Sequence, residues 1–162
     1  MCSEAVRANC LDASALVKLY VEEKGSDILK KYFEKEATWY TTPICFYEAL
    51  NVLKRKWLKC NMTREEYMAA SFKMAAQFSC SSQIIPDVDF LSPSVFKDVQ
   101  EIAKKHDLDL SDSFQIVSVK YGYFSRLAGD SKTVLVTADK ALADAARKEC
   151  ILSWYIFNEP PQ

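Results

Sequence analysis

The chain has 162 residues, 49% of them hydrophobic and 27% charged, which is enough apolar material for one compact core and excludes general disorder. Lysine and arginine number 21 against 22 aspartates and glutamates, so the net charge of −1 excludes a globally basic nucleic-acid binder but leaves room for a basic patch on one face. Three unclustered glycines, Gly25, Gly122 and Gly129, exclude a glycine-rich phosphate cradle, and a single histidine, His106, excludes an HExxH zinc site and a two-histidine ribonuclease. A Ser-His-Asp triad needs only one histidine, but no serine here sits in a GxSxG elbow, so the chemistry is expected to run on carboxylates.

In chain order, residues 6–11 read as a short polar-interrupted strand running into Asp12. Leu16, Leu19 and Tyr20 predict a helix over 13–21, and Ser26 is placed as the cap of a second helix over 26–36. Residues 38–42 are β-branched and aromatic, a strand. Thr42-Pro43 then opens a long helix to residue 59. Thr63 and Glu66 form a capping box for the next helix, in which Tyr67, Met68, Met74 and Phe78 recur with helical period. Residues 84–91 alternate around Pro86 and predict an edge strand. Ser92-Pro93 starts a helix ending near His106, and a further helix is expected over 112–127. Residues 133–137 are the clearest strand, Asp139 opens a helix over 140–148, and 151–157 make a last strand. Strands alternating with helices imply an α/β fold: helices flanking a central, mainly parallel sheet of about four to five strands. Residues 1–157 read as a single domain, and 158–162 as a loose tail.

The six cysteines, Cys2, Cys10, Cys45, Cys60, Cys80 and Cys150, form no CxxC pair and follow no recognisable leader peptide, which points to reduced thiols in a cytoplasmic protein. No apolar stretch approaches the ~20 residues that span a bilayer, so no membrane association is expected.

Ligands in parallel α/β sheets gather beyond the carboxyl ends of the strands. Asp12 and Asp139 stand at such junctions, and Asp112 opens a helix. Aspartate is also a favoured helix cap, and each of the three is equally readable as one. Glu48 is different. It falls in the second turn of its helix, where no cap is needed, at the edge of an apolar arc formed by Cys45, Phe46, Ala49, Leu50 and Leu53. Its alternative is an ordinary solvated glutamate paired with Arg55 two turns on.

Leu11-Asp12-Ala13-Ser14, Tyr47-Glu48-Ala49-Leu50-Asn51, Leu110-Ser111-Asp112-Ser113 and Val136-Thr137-Ala138-Asp139 resemble, in that order, the four acidic motifs of PIN domains. In particular they resemble those of the VapC-type toxin ribonucleases of VapBC toxin–antitoxin systems. The resemblance runs from about Val6 to Phe157 and implies a three-layer PIN-like fold. It implies that Asp12, Glu48, Asp112 and Asp139 are the catalytic and metal-binding acids, with Ser14, Asn51 and Thr137 supporting them by hydrogen bonds. The sequence departs from the pattern in its polar first strand and in Ser113, where alanine is common; Asp107 and Asp109 crowd the third motif.

An oxygen-only ligand set selects hard ions, so Mg²⁺ or Mn²⁺ is the expected cofactor, for water-mediated hydrolysis of a phosphodiester. The resemblance further implies an RNA substrate, a small antitoxin partner and self-association as a dimer. Lys54, Arg55, Lys56 and Lys59 supply positive charge without an acid between them; Lys54, Arg55 and Lys59 are read as an RNA track, or equally as a solvated helix end. Trp57 is read as core and His106 as a helix-end residue rather than a ligand. Tyr121, Tyr123 and Phe124, around Gly122, are read as exposed aromatics that either serve a subunit contact or simply pack. Two other functions fit the same residues: a catalytically inactive PIN-fold module that binds RNA or protein, and a phosphotransfer enzyme with an aspartyl nucleophile. The latter lacks a second aspartate two residues after Asp12.

Overall fold

The computed structural model describes residues 8–34, 38–127 and 133–161. Four strands, β1 (Asn9–Leu11), β2 (Trp39–Tyr40), β3 (Val134–Thr137) and β4 (Leu152–Tyr155), form one parallel sheet in the order β2-β1-β3-β4. Cys10 pairs with Tyr40 on one side and with Leu135 on the other, and Leu135 with Ser153. The chain steps from β1 outward to β2, then returns to the other side of β1 to lay down β3. The crevice at the carboxyl ends of β1 and β3 is therefore the topological switch point.

Strand alternation divides the core. Leu11, Val134, Val136 and Trp154 face one layer, built from α1 (Ala13–Val17), α2 (Ser26–Phe33), α3 (Pro43–Leu58) and α4 (Arg64–Ser79). Cys10 and Leu135 face the other layer, built from α5 (Pro93–His106), α6 (Leu110–Tyr121), α7 (Phe124–Leu127) and α8 (Lys140–Lys148). With both faces covered, the fold is the expected three-layer α/β arrangement with four strands, all parallel.

Capping behaves as the sequence indicates at three helices. Thr42 accepts from Cys45 N at α3, Thr63 and Glu66 complete the capping box of α4, and Asp139 accepts from Ala141 N and Leu142 N at α8. Elsewhere the structure differs. Ser26 does not cap α2: Gly25 does, at φ +88°, and a side chain there would meet the Phe157 ring at 3.0 Å. Beyond Val17 the chain tightens, with Lys18, Leu19 and Tyr20 each donating three residues back, so α1 is shorter than the 13–21 expected.

The strand over 84–91 does not form. Ile84 makes a single bridge to Thr41, Pro86 has no N–H to continue the ladder, and Asp87 turns away to accept from Ile44 N at 2.9 Å, a second cap on α3. Asp109, not Asp112, caps α6, which therefore starts earlier than expected, and Gly122 separates it from α7. Phe124, expected to be exposed, is buried against Tyr40, while Tyr121 and Tyr123 are exposed. The tail is tied down as far as Glu159: its carbonyl accepts from Trp154 Nε1 at 3.0 Å, its carboxylate accepts from Tyr155 N at 3.1 Å, and Arg147 pairs with it. The part of the first expected strand at residues 6 and 7, and Cys2, lie outside the described residues. Cys10, Cys45, Cys60, Cys80 and Cys150 are free thiols. No helix among the described residues is long and apolar enough to cross a membrane.

Candidate active site

Asp12 leaves β1 and caps α1, its Oδ1 accepting from Ala15 N at 2.7 Å. The Ser14 hydroxyl donates to its Oδ2 at 2.7 Å, and the Thr137 hydroxyl, arriving at the end of β3, donates to the same oxygen at 2.8 Å. Thr137 Oγ1 in turn accepts from Asp139 N at 2.8 Å, and Ser14 Oγ accepts from Ala138 N at 2.9 Å. Ser14 and Thr137 thus lock the first acid to the turn that carries the fourth. The other two acids arrive on helices: Glu48 on the second turn of α3 and Asp112 on the first turn of α6.

All four, Asp12, Glu48, Asp112 and Asp139, line one open pocket of about 320 Å³ at the switch point. Asp109 and Ser111 line it too, on the third-motif loop, where Asp109 accepts from Asp112 N and from the Ser111 hydroxyl, both at 2.9 Å. The aspartate three residues before Asp112 is the sequence signal for Asp109, a capping pattern that also brings a fifth carboxylate to the pocket.

Electrostatics follow from crowding. Burial raises the Asp12 carboxyl to about 6, against the pull of its hydrogen bonds from Ala15, Ser14 and Thr137. Asp112 is raised to about 7, first by burial and then by the charges of Asp109, Asp12, Asp139 and Glu48. Burial also raises Glu48; the Ser111 hydroxyl and Arg55 lower it, while Asp109 raises it further. For Asp12 and Asp139 the two readings coincide, each being a helix cap and a pocket-lining acid at once, whereas Asp112 lines the pocket without capping α6, and Arg55 acts on Glu48 through its charge alone, with no ion pair between them.

The donors are carboxylate and hydroxyl oxygens, a set whose chemistry suits a hard divalent ion such as Mg²⁺ or Mn²⁺. Among the described residues no three His, Cys, Asp or Glu side chains already form a metal-binding group, so an ion requires the carboxylates to close in.

Asn51 is exposed on α3 and does not line the pocket. Of the three cations read as a track, only Arg55 lines it. Lys54 lies over the Trp57 ring at 4.1 Å, and Lys59 is the exposed cap residue at the end of α3. Trp57 is half-buried and stacked on Tyr67 at 5.2 Å. Lys56, a member of the same basic run, lines the pocket instead, together with Lys18 and Glu23, which no sequence motif singles out. His106 ends α5 and does not line the pocket; it bonds to Glu149, at the end of α8 away from the pocket-lining Asp139.

A search among curated proteins finds no match to the sequence. Solved structures do match the fold. One is PAE2754 from Pyrobaculum aerophilum, with a TM-score of 0.60 and 18% identity over 91% of this chain and 84% of that one. FitAB bound to an IR36 DNA fragment gives a TM-score of 0.65 and 11% identity over 95% and 99% of the two chains. FitAcB from Neisseria gonorrhoeae gives 0.60 and 11% over 93% and 99%. Identities this low speak for the fold alone. The sequence itself matches the model of the PIN domain over residues 10–148, a span that holds all four pocket acids. The chain belongs to the PIN domain family.

Proposed function

We propose that this chain is an endoribonuclease that depends on Mg²⁺ or Mn²⁺, hydrolyses phosphodiesters in single-stranded RNA, and acts as the toxin of a toxin–antitoxin pair. The observation that carries the reading is the arrival of Asp12, Glu48, Asp112 and Asp139 from four separate elements at one pocket. Membership of a family of nucleases supports the reaction class, and the four-motif resemblance to VapC-type toxins supports the biological role.

A bound divalent ion supplies a water of lowered pKa and a seat for the scissile phosphate. The chain's own part is to hold the carboxylates. Ser14 and Thr137 fix Asp12, the Asp109 cap fixes the turn that presents Asp112, and the second turn of α3 presents Glu48. With Asp12 raised to about 6 and Asp112 to about 7, protons held on these carboxyls at slightly acid pH would be released when a cation binds. Ribose 2′-hydroxyl attack has no imidazole here to serve it, because His106 lies elsewhere. The products are then 5′-phosphate and 3′-hydroxyl ends.

Incubating the purified chain with total RNA and Mg²⁺ or Mn²⁺, with and without chelator, and mapping the new ends tests this. Metal-dependent cuts carrying 5′-phosphates are expected; 2′,3′-cyclic phosphates, or cutting that survives chelator, defeat it. A small antitoxin and a second copy of the chain are the proposed partners, and co-expression with the adjacent open reading frame followed by sizing of the complex checks both. A second reading, a PIN-fold module that grips RNA or protein without cutting, is favoured by one observation: both oxygens of Asp12 are already engaged by its own chain. FitAB was solved bound to DNA, so a DNA strand belongs among the substrates tested.

A further inference from the structure

We propose that Glu23 is a positioning residue that gathers Lys18 and Lys56 into a phosphate-binding rim beside Arg55, and that this rim holds the RNA backbone next to the bond to be cut. The inference rests on the ribonuclease reading and adds to it the wall along which the strand lies. Lys18 is buried, its ammonium 2.6 Å from Glu23 Oε1, and Lys56 pairs with the other oxygen of the same carboxylate. All three side chains and Arg55 line the acidic pocket.

One carboxylate shared by two ammoniums leaves a positive remainder, and Arg55 adds to it. Burial raises the Glu23 carboxyl, but Lys18 and Lys56 pull it below the usual carboxylate range, so it stays ionised and keeps both lysines in place. Lys18 is held from a second side as well, its ammonium 5.2 Å from the centre of the Phe157 ring. A long lysine whose ammonium is held by a carboxylate and by an aromatic ring has little entropy left to lose on binding. A tether for the chain after α1 needs only one cation on Glu23; the second, brought 33 residues along the chain from α3, turns the tether into a charged wall.

The pocket therefore carries both signs of charge: the four motif carboxylates and Asp109 share its lining with Lys18, Arg55 and Lys56. A phosphodiester strand needs both: a cation-loaded acidic seat for the scissile phosphate and direct positive charge for its neighbour.

The test uses the full chain carrying Asp12→Asn, so that the strand stays whole, and a fluorescent single-stranded RNA titrated at several salt concentrations in Mg²⁺. Lys56→Gln and Arg55→Gln are each expected to reduce the slope of log affinity against log salt by ~0.7, the value for one phosphate contact on a single strand, and Lys54→Gln to leave it unchanged. Glu23→Asp keeps the charge but is a methylene too short to span both lysines. It is expected to weaken binding several-fold and, with Asp12 intact, to raise KM for cleavage while keeping kcat. Arg55 is exposed, so its variant folds even if a Lys56 variant does not.

Unchanged slopes for Lys56→Gln and Arg55→Gln, or a Glu23→Asp protein that binds like its parent, overturn the rim. If cleavage persists while the slopes stay fixed, the rim falls and the ribonuclease stands. If slopes move but no metal elicits cutting, the reverse holds. Tighter binding of the matching single-stranded DNA overturns RNA as the occupant.

Discussion

Thr137 donates from Oγ1 to Asp12 Oδ2 at 2.8 Å, although 125 positions separate the two residues in sequence. Because the same hydroxyl accepts from Asp139 N, this one bond couples the end of β1 to the end of β3 at the switch point. Replacing Thr137 by valine keeps the shape and removes both links. The expected cost is about 1.5–3 kcal/mol, since one partner is a carboxylate and the sites are buried. Cleavage should fall with it, and thermal melts beside steady-state kinetics measure the two losses.

Asp12→Asn should abolish cleavage and leave the fold intact. It should also change how stability responds to pH. The Asp12 carboxyl is raised in the folded state, to about 6, so between its unfolded value and that value the folded chain binds the extra proton. Stability of the metal-free protein therefore falls as pH rises through this window, and Asp112 extends the fall to about pH 7. The asparagine variant should gain on the order of 3 kcal/mol over the parent at pH 8 and almost nothing at pH 4. Denaturant unfolding at both values measures the difference; equal curves contradict it.

Divalent metal should raise the melting temperature, and chelator should reverse the rise. At a hundred times its dissociation constant, a single ion stabilises by ~2.7 kcal/mol. Binding near pH 6 should release protons, because Asp12 and Asp112 hold them in part at that pH when no metal is added. Calorimetry in two buffers of different ionisation heat reads that release directly, and a buffer-independent heat would refute it.

Far from the pocket, Glu149 is buried and accepts from Lys105, His106 and Lys120, each at 2.7 Å. Those bonds lower its carboxyl to about 2. A lowered carboxyl gives stability that is present above the unfolded value near 4.5 and lost as pH falls towards 2. Glu149→Gln should therefore cost about 2 kcal/mol at pH 7, and much less at pH 3. Urea melts of parent and variant across that range check it.

Much of the layout is legible in residue order because its causes are local. A cap needs one side chain and the next turn, so Thr42-Pro43, the Thr63–Glu66 box and Asp139 announce their helices within four residues. The motif acids are legible for the same reason: Asp12 and Asp139 each stand where a strand hands over to a helix. The expected strand at 84–91 fails because its rival is distant. Asp87 stabilises α3 by accepting from Ile44 N, 43 residues away, and no local pattern announces that bond.

Sequence alone determined which side chains are acidic, where the side-chain-capped helices α3, α4 and α8 begin, and that strands and helices alternate. Only the tertiary structure decided that four of those acids share a pocket, since this depends on β3 being laid beside β1 rather than beside β2. It also decided that Lys56 and Arg55 face the pocket while Lys54 lies on Trp57. Neighbours on a helix point about 100° apart, and which of them meets the site is set by how α3 packs against α1 and α6, a matter of long-range contact rather than of residue order.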